Sequence, residues 1–277
     1  MKPRARISRQ ALAYFALVLV AIIPLFPLYW LVISSLKTPN EFASIPPTWW
    51  PHEISFDAYQ RVFELVPFAK SFSNSVVIAG GSTIAVLITS IMAGYVFAKY
   101  QFRGRDTIFW AVIGTMFVPP VVMLVPLYHL VSSMGLSDSY LGVMLPWLAN
   151  PFGIFLMRQF IRGVPDELID AARADGASEL RILYSIVVPL LKPAIITLAI
   201  FALVYYWNNF LWPLSILQSE SKFPIVLMLS RLLSYATSVQ NQNVVMAGAL
   251  IASIPTIGIF LFAQRVFIQG IARTGVK

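Results

Sequence analysis

The chain has 277 residues, 58% of them hydrophobic and only 12% charged, with a net charge of +8. Soluble domains carry about 25% charged residues, so this composition belongs with membrane proteins. The absence of cysteine excludes disulfides, thiol catalysis and cysteine metal sites, and the wide separation of the two histidines, His52 and His129, argues against a histidine metal cluster.

A helix needs about 20 apolar residues to cross the hydrocarbon of a bilayer. Six segments qualify: residues 11–36, 72–98, 108–131, 141–157, 194–217 and 244–263. The expected fold is therefore all-α, a polytopic membrane protein with six transmembrane helices. Prolines in the third and fifth segments predict kinks there. The basic front end, "MKPRARISRQ", matches the start of a signal peptide. However, 26 apolar or neutral residues follow, and no small-residue cleavage site precedes Lys37, so the first segment reads as an uncleaved span.

Lys and Arg placement sets the orientation. With the N-terminus inside, the inner segments hold 15 of these residues and the outer segments 5. Both termini are therefore expected to be cytoplasmic. The positive charge is then a topology signal and calls for no nucleic-acid partner. The outer segment from Lys37 to Ser71 contains "IPPTWWPHEISFDAYQRVF", where Trp49 and Trp50 suit a membrane–water interface. It reads as a packing cap rather than a ligand site.

None of the six segments contains Asp, Glu, Lys or Arg. Proton- and voltage-driven machines need ionisable groups inside the membrane, so an ion-driven transporter is disfavoured. His129, near the outer end of the third segment, reads as a solvated or packed side chain. No phosphate-cradling loop is present: "AGGSTIAV" at 79–86 lacks the lysine and reads as a site of close helix approach. No credible catalytic set exists, so the chain is not expected to be an enzyme. If it moves a solute uphill, the energy comes from another chain.

Residues 162–192 are predicted to be cytoplasmic and carry nine of the 32 charged residues. Pro165 suits the first turn of a helix, and Asp166 and Glu167 suit its positive end. Asp170 and Arg173, spaced i, i+3, can pair. Gly176 falls where that helix would end in a left-handed cap. Ser178 can cap a second helix reaching Val188, and Pro189 is expected to bend the chain toward the membrane. Pattern alone leaves a solvated loop helix and a docking helix equally weighted.

The stretch "DELIDAARADGASELRILYSIVVP" resembles the EAA loop of binding-protein-dependent ABC importer permeases. That signature is E-A-A, three residues, G, nine residues, then I-x-L-P. Here it reads Asp170-Ala171-Ala172, three residues, Gly176, nine residues, then Ile186-Val187-Val188-Pro189. Asp replaces Glu and Val replaces Leu. "PFGIFLMRQFIRGVPDELIDAARADGASE", "YYWNNFLWPL" and the C-terminal run resemble the shorter permease subunit of the sugar branch, the maltose-type importers. The likeness covers about residues 70–277 well and the first span loosely, within a single permease domain over 1–277.

The resemblance implies a coupling helix in the 162–192 loop that docks in a groove of a cytoplasmic ATPase. Glu167, Asp170, Ala171, Ala172, Arg173, Gly176, Ala177 and Leu180 are the residues expected to do so. It implies a homologous second permease, two ATPase subunits that bind ATP with Mg, and an extracytoplasmic solute-binding protein, all at a bacterial or archaeal plasma membrane. This chain itself is expected to hold no cofactor and no metal. The expected cargo is a sugar or oligosaccharide, with a non-sugar solute such as glycerol phosphate as the alternative. Trp207, Asn208 and Asn209 could line the path, since rings stack on sugar C–H faces and amides bond hydroxyls. An interfacial aromatic belt with an amide between helices explains each of the three residues at least as well. By resemblance the loop 218–243 is expected to face the binding protein, with a plain loop as the alternative; the basic tail "GIARTGVK" is within reach of the ATPases, and a frayed terminus is its simpler account.

Overall fold

The computed structural model describes residues 3–238 and 241–274. Among them the backbone is helical, with no strand. A lipid-exposed chain must satisfy its N–H and C=O groups internally, which helices do. Helix α1 runs Pro3–Ser35 and holds Pro24 and Pro27 in its interior. A short amphipathic helix, α2 (Asp57–Leu65), follows. Helix α3 (Phe68–Lys99) is an unbroken 32-residue rod, and α13 (Gln242–Thr274) is another of 33 residues. These correspond to the first, second and sixth predicted segments.

The other three segments are not single rods. Helix α4 (Arg105–Gly114) ends in a short turn, and α5 (Pro120–Ser133) leaves it at 106°. The Pro119–Pro120 pair forces Val118 and Pro119 into extended backbone, so the expected kink becomes a full break. Helix α6 (Tyr140–Met144), extended to Trp147 by one tight turn, bends by 46° into α7 (Pro151–Arg162). Asn150 caps α7 by accepting the Gly153 N–H at 2.8 Å. Two helices, α8 (Asp166–Ala174) and α9 (Glu179–Leu190), then precede α10 (Lys192–Trp207), which turns by 84° from α9. Three non-helical residues separate α10 from α11 (Leu211–Ile216), and α12 spans Ile225–Tyr235.

The chain divides into two compact units. One contains the described residues up to Phe68 together with Leu229–Ser253. Here the segment after α1 folds over that helix's end, with Trp49 edge-on to Trp30 at 6.1 Å. Lys37 is buried, donates to the Thr48 carbonyl at 2.5 Å and lies 4.6 Å above the Trp30 ring. Asn243 donates to the Lys37 carbonyl at 3.0 Å, tying α13 to the same place.

The second unit contains Ala69–Met228 and the residues from Ile254 onward. Its core forms where α3 meets α7. A methyl on Gly94 would sit 2.7 Å from Met157 Cβ and 2.9 Å from the Arg158 nitrogen, so only glycine permits this approach. Of the two glycines in "AGGSTIAV", Gly81 faces Met144 closely and Gly80 meets open space, so close approach holds at one of the pair. Arg158 is buried and stacks 3.9 Å over the Phe109 ring, with Asp106 at 3.1 Å as its counter-ion. The Phe97 carbonyl accepts its Nε–H.

Candidate functional site

The 166–190 loop is built from strong local signals. Pro165 occupies the cap position rather than the first turn, because its extended backbone (ψ 134°) precedes the helical residues. Asp166 and Glu167 lie in the first turn of α8 and Arg173 in the last, each matching the helix dipole. The helix ends in a Schellman motif: Gly176 N–H bonds Arg173 O and Ala177 N–H bonds Ala172 O, both at 3.0 Å. Gly176 has φ +77°, the left-handed conformation that favours glycine. Ser178 then caps α9, accepting the Arg181 N–H at 3.4 Å.

Helix α9 runs through Pro189 to Leu190 and the bend falls at Leu191, two residues later than expected. A π turn over Leu183–Val187 explains the difference. The wider turn makes room for the proline ring and absorbs its missing N–H without breaking the helix.

Ion pairs lock the two short helices together. Arg173 donates to Asp170 at 3.1 Å and to both carboxylate oxygens of Glu179, at 2.7 and 3.3 Å. The Tyr95 hydroxyl of α3 donates to the same carboxylate at 2.9 Å. The Arg173 guanidinium, helped by the Tyr100 and Tyr95 phenols, holds the Glu179 carboxyl down at about 2. Burial and the Glu179 charge push the Tyr100 phenol up. Lys99 closes the other end, donating to Val164 O at 2.5 Å and to Asp166 at 2.6 Å.

Ile169 is the buried anchor of α8, whereas Leu168 and Leu180 are exposed. Ala171 and Gly176 are exposed, and Ala172 and Ala177 are half-buried. The loop thus offers small and apolar side chains beside Glu167, Asp170 and Arg173, which is a surface a partner groove can cover.

A second candidate region forms at the break after α10. Asn208 and Asn209 line a cavity of about 480 Å³ together with Trp147, Tyr205, Phe210 and Trp212. Tyr205 meets Trp147 edge-on at 6.1 Å, and Trp212 is fixed by its indole N–H to the Gly142 and Val143 carbonyls. The Asn208 amide donates to Val204 O at 2.8 Å, which ties it back to the last turn of α10. Trp207 is placed elsewhere. It is buried, with its ring edge-on to Phe72 at 5.4 Å, and is not among the cavity residues. The helix ends at Trp207, so the amides that follow it in sequence leave on a different course.

His129 is exposed on this chain, with its ring edge-on to Tyr128 at 5.9 Å. Among the described residues no group of His, Cys, Asp or Glu could hold a metal ion. Sequence reasoning missed Tyr95, Lys99, Tyr100 and Trp147. Tyr95 and Lys99 lie one turn apart at the end of α3 and Tyr100 follows directly, but their partners lie 65 to 84 residues away. Of the terminal tail, residues 275–277 lie outside the described residues, as do Val239 and Gln240 of the 218–243 loop and Lys2 of the N-terminal basic run.

Long apolar rods, broken helices around an amide-bearing cavity and a rigid two-helix loop define a polytopic membrane permease. The family described as binding-protein-dependent transport system inner membrane component matches residues 72–273. The chain belongs to this family of ABC importer permeases, which are membrane transport components rather than enzymes. It is 39% identical to the arabinooligosaccharides transport system permease protein AraQ of Bacillus subtilis, over 99% of this chain and 98% of that protein. It is 31% identical to the sn-glycerol-3-phosphate transport system permease protein UgpE of Brucella suis, covering 95% and 96%. Its fold is similar to a chain in the crystal structure of a bacterial ABC transporter involved in the import of the acidic polysaccharide alginate. The TM-score is 0.85 at 25% identity, covering 96% of this chain and 98% of that one.

Proposed function

We propose that this permease forms half of the path for a neutral sugar or oligosaccharide, and that its 166–190 loop receives the ATPase stroke. The observation that carries the second half is the locking of α8 and α9 into one piece by Arg173 and Glu179 across the Gly176 turn. A rigid piece transmits displacement, whereas a floppy loop would absorb it. Glu167, Asp170, Ala171, Ala172, Arg173, Gly176, Ala177 and Leu180 form or support the docking surface.

In this reading the chain crosses the membrane six times with both termini cytoplasmic, with α4–α5, α6–α7 and α10–α11 each counting as one span. A homologous permease supplies the other half of the path. Two ATPase subunits bind ATP with Mg, and an extracytoplasmic binding protein delivers the solute. The names of its oligosaccharide relatives support a sugar. A glycerol-phosphate cargo has support from UgpE, but the cavity lining has no Lys or Arg to meet a phosphate. Asn208 and Asn209 with Tyr205 and Trp147 suit hydroxyls and C–H faces instead. Asn208 and Asn209 are path residues in this reading, and Trp207 supports the path through packing.

The test is reconstitution of the assembled transporter in proteoliposomes. Gly176→Leu, which disfavours the left-handed turn, should retain ATPase subunits yet lose uptake per ATP. Full uptake and hydrolysis in that variant would sink the docking reading. Uptake of labelled glycerol 3-phosphate in preference to neutral oligosaccharides would sink the sugar reading.

A further inference from the structure

We propose that Tyr95, Lys99 and Tyr100 form a brace that fixes the loop's orientation against the end of α3. This rests on the reading of the loop as the ATPase docking element. By covalent continuity the loop leads only to α7 and α10. The brace gives it a third output, into a helix far away in sequence.

The attachment is made at two points, one on each side of the Gly176 turn. At the first, Lys99 donates to Val164 O and Asp166 at 2.5 and 2.6 Å, just before and at the start of α8. The Lys99 side chain is only 6% exposed, so its position is set by these acceptors rather than by solvent. At the second, Tyr95 donates to Glu179 at 2.9 Å, in the first turn of α9. Glu179 also accepts both bonds from Arg173, whose guanidinium lies 5.8 Å from the Tyr100 ring. An isolated exposed ion pair contributes little. Here four side chains share donors and acceptors, which makes each bond depend on the others.

The bonds that shape the loop do not involve α3. The Schellman turn and the Ser178 cap are local, so loss of the brace leaves both helices formed. What changes is their hold on α3. The loop could then move with the ATPase while α3 lags, and ATP would be spent without solute moving. Tyr95, Lys99 and Tyr100 are thus positioning residues, acting through Glu179, Asp166 and Arg173.

The experiment uses the complete transporter in proteoliposomes and reads solute moved per ATP hydrolysed. Tyr95→Phe removes one hydroxyl and keeps the ring, and Lys99→Met removes the ammonium and keeps the apolar stem, while both leave the Arg173–Glu179 lock in place. Both should keep the ATPases bound and lower the ratio by about threefold or more, the loss of a charge-assisted bond. The subunit has no cysteine, so Tyr95→Cys with Glu179→Cys can be joined by a short bifunctional thiol reagent. Joining them should restore the ratio, an outcome that a purely structural role would not produce. An unchanged ratio in both single variants, or loss of uptake on joining, overturns the brace. Gly176→Leu separates the two ideas. If it uncouples while Tyr95→Phe does not, the brace alone fails. If it too has no effect, the docking reading fails.

Discussion

Lys222 reaches Asp138 across 84 residues, with its ammonium 2.8 Å from the carboxylate and 2.5 Å from the backbone carbonyl. Asp138 sits at φ +50°, and its carboxylate also accepts the N–H groups of Gln218 and Ser219, each at 3.0 Å. Lys222, together with these donors, holds the Asp138 carboxyl well below the usual carboxylate range. One side chain thus ties the connection after α5 to the connection after α11.

Asp138→Ala should lower the melting temperature of the purified subunit. Removing the acceptor strands two backbone N–H groups and an ammonium, a loss of about 1–3 kcal/mol. Lys222 is 39% exposed, so solvent screening favours the low end. The depressed group stabilises above its unfolded pKa of about 3.9 and loses that effect only as pH falls further. The difference between wild type and Asp138→Ala should therefore stay constant from about pH 8 to pH 5, measured by thermal unfolding.

Glu179 gives a second pH prediction with the same sign. Its folded value of about 2 is below the ordinary 4.5, so its contribution is complete above 4.5 and fades as pH falls toward 2. Solute moved per ATP should be flat between about pH 5 and pH 8 as far as this group is concerned. A titration of the coupling ratio near neutral pH that vanished in Glu179→Gln would contradict the assignment.

Trp207 and Asn209 are neighbours in sequence but should behave oppositely. Trp207→Ala empties a buried site against Phe72 and should destabilise by about 3–5 kcal/mol, seen as lost yield and melting temperature. Asn209→Ala should leave stability near wild type and reduce uptake, since its amide lines the cavity. Equal losses of yield in both would place Asn209 in packing rather than in the path.

Two glycines of α3 make a matched pair. Gly94→Ala drives a methyl into Met157 and the α7 backbone, and folding yield should collapse. Gly80→Ala meets nothing within 4 Å and adds helix propensity of up to about 1 kcal/mol. Expression and thermal stability of the two variants should diverge in sign.

The sequence by itself determined the class of protein. Apolar runs of membrane length and a near-absence of charge leave few alternatives to helices in lipid. The loop was legible as well, because its caps are local: Gly176 ends one helix, Ser178 begins the next, and Asp170 and Arg173 pair within a turn. Only the tertiary structure decided where the chain turns and what meets across it. Pro119 and Pro120 announce a break, but packing sets its 106°. Pro189 announces a bend, but a π turn carries the helix past it to Leu191. Tyr95 and Glu179 lie 84 residues apart, and no periodicity joins them. Trp207 faces the core while Asn209 faces a cavity because the helix stops between them at Asn208. Short-range propensity records turns and caps, whereas faces and long-range partners exist only once the helices have packed.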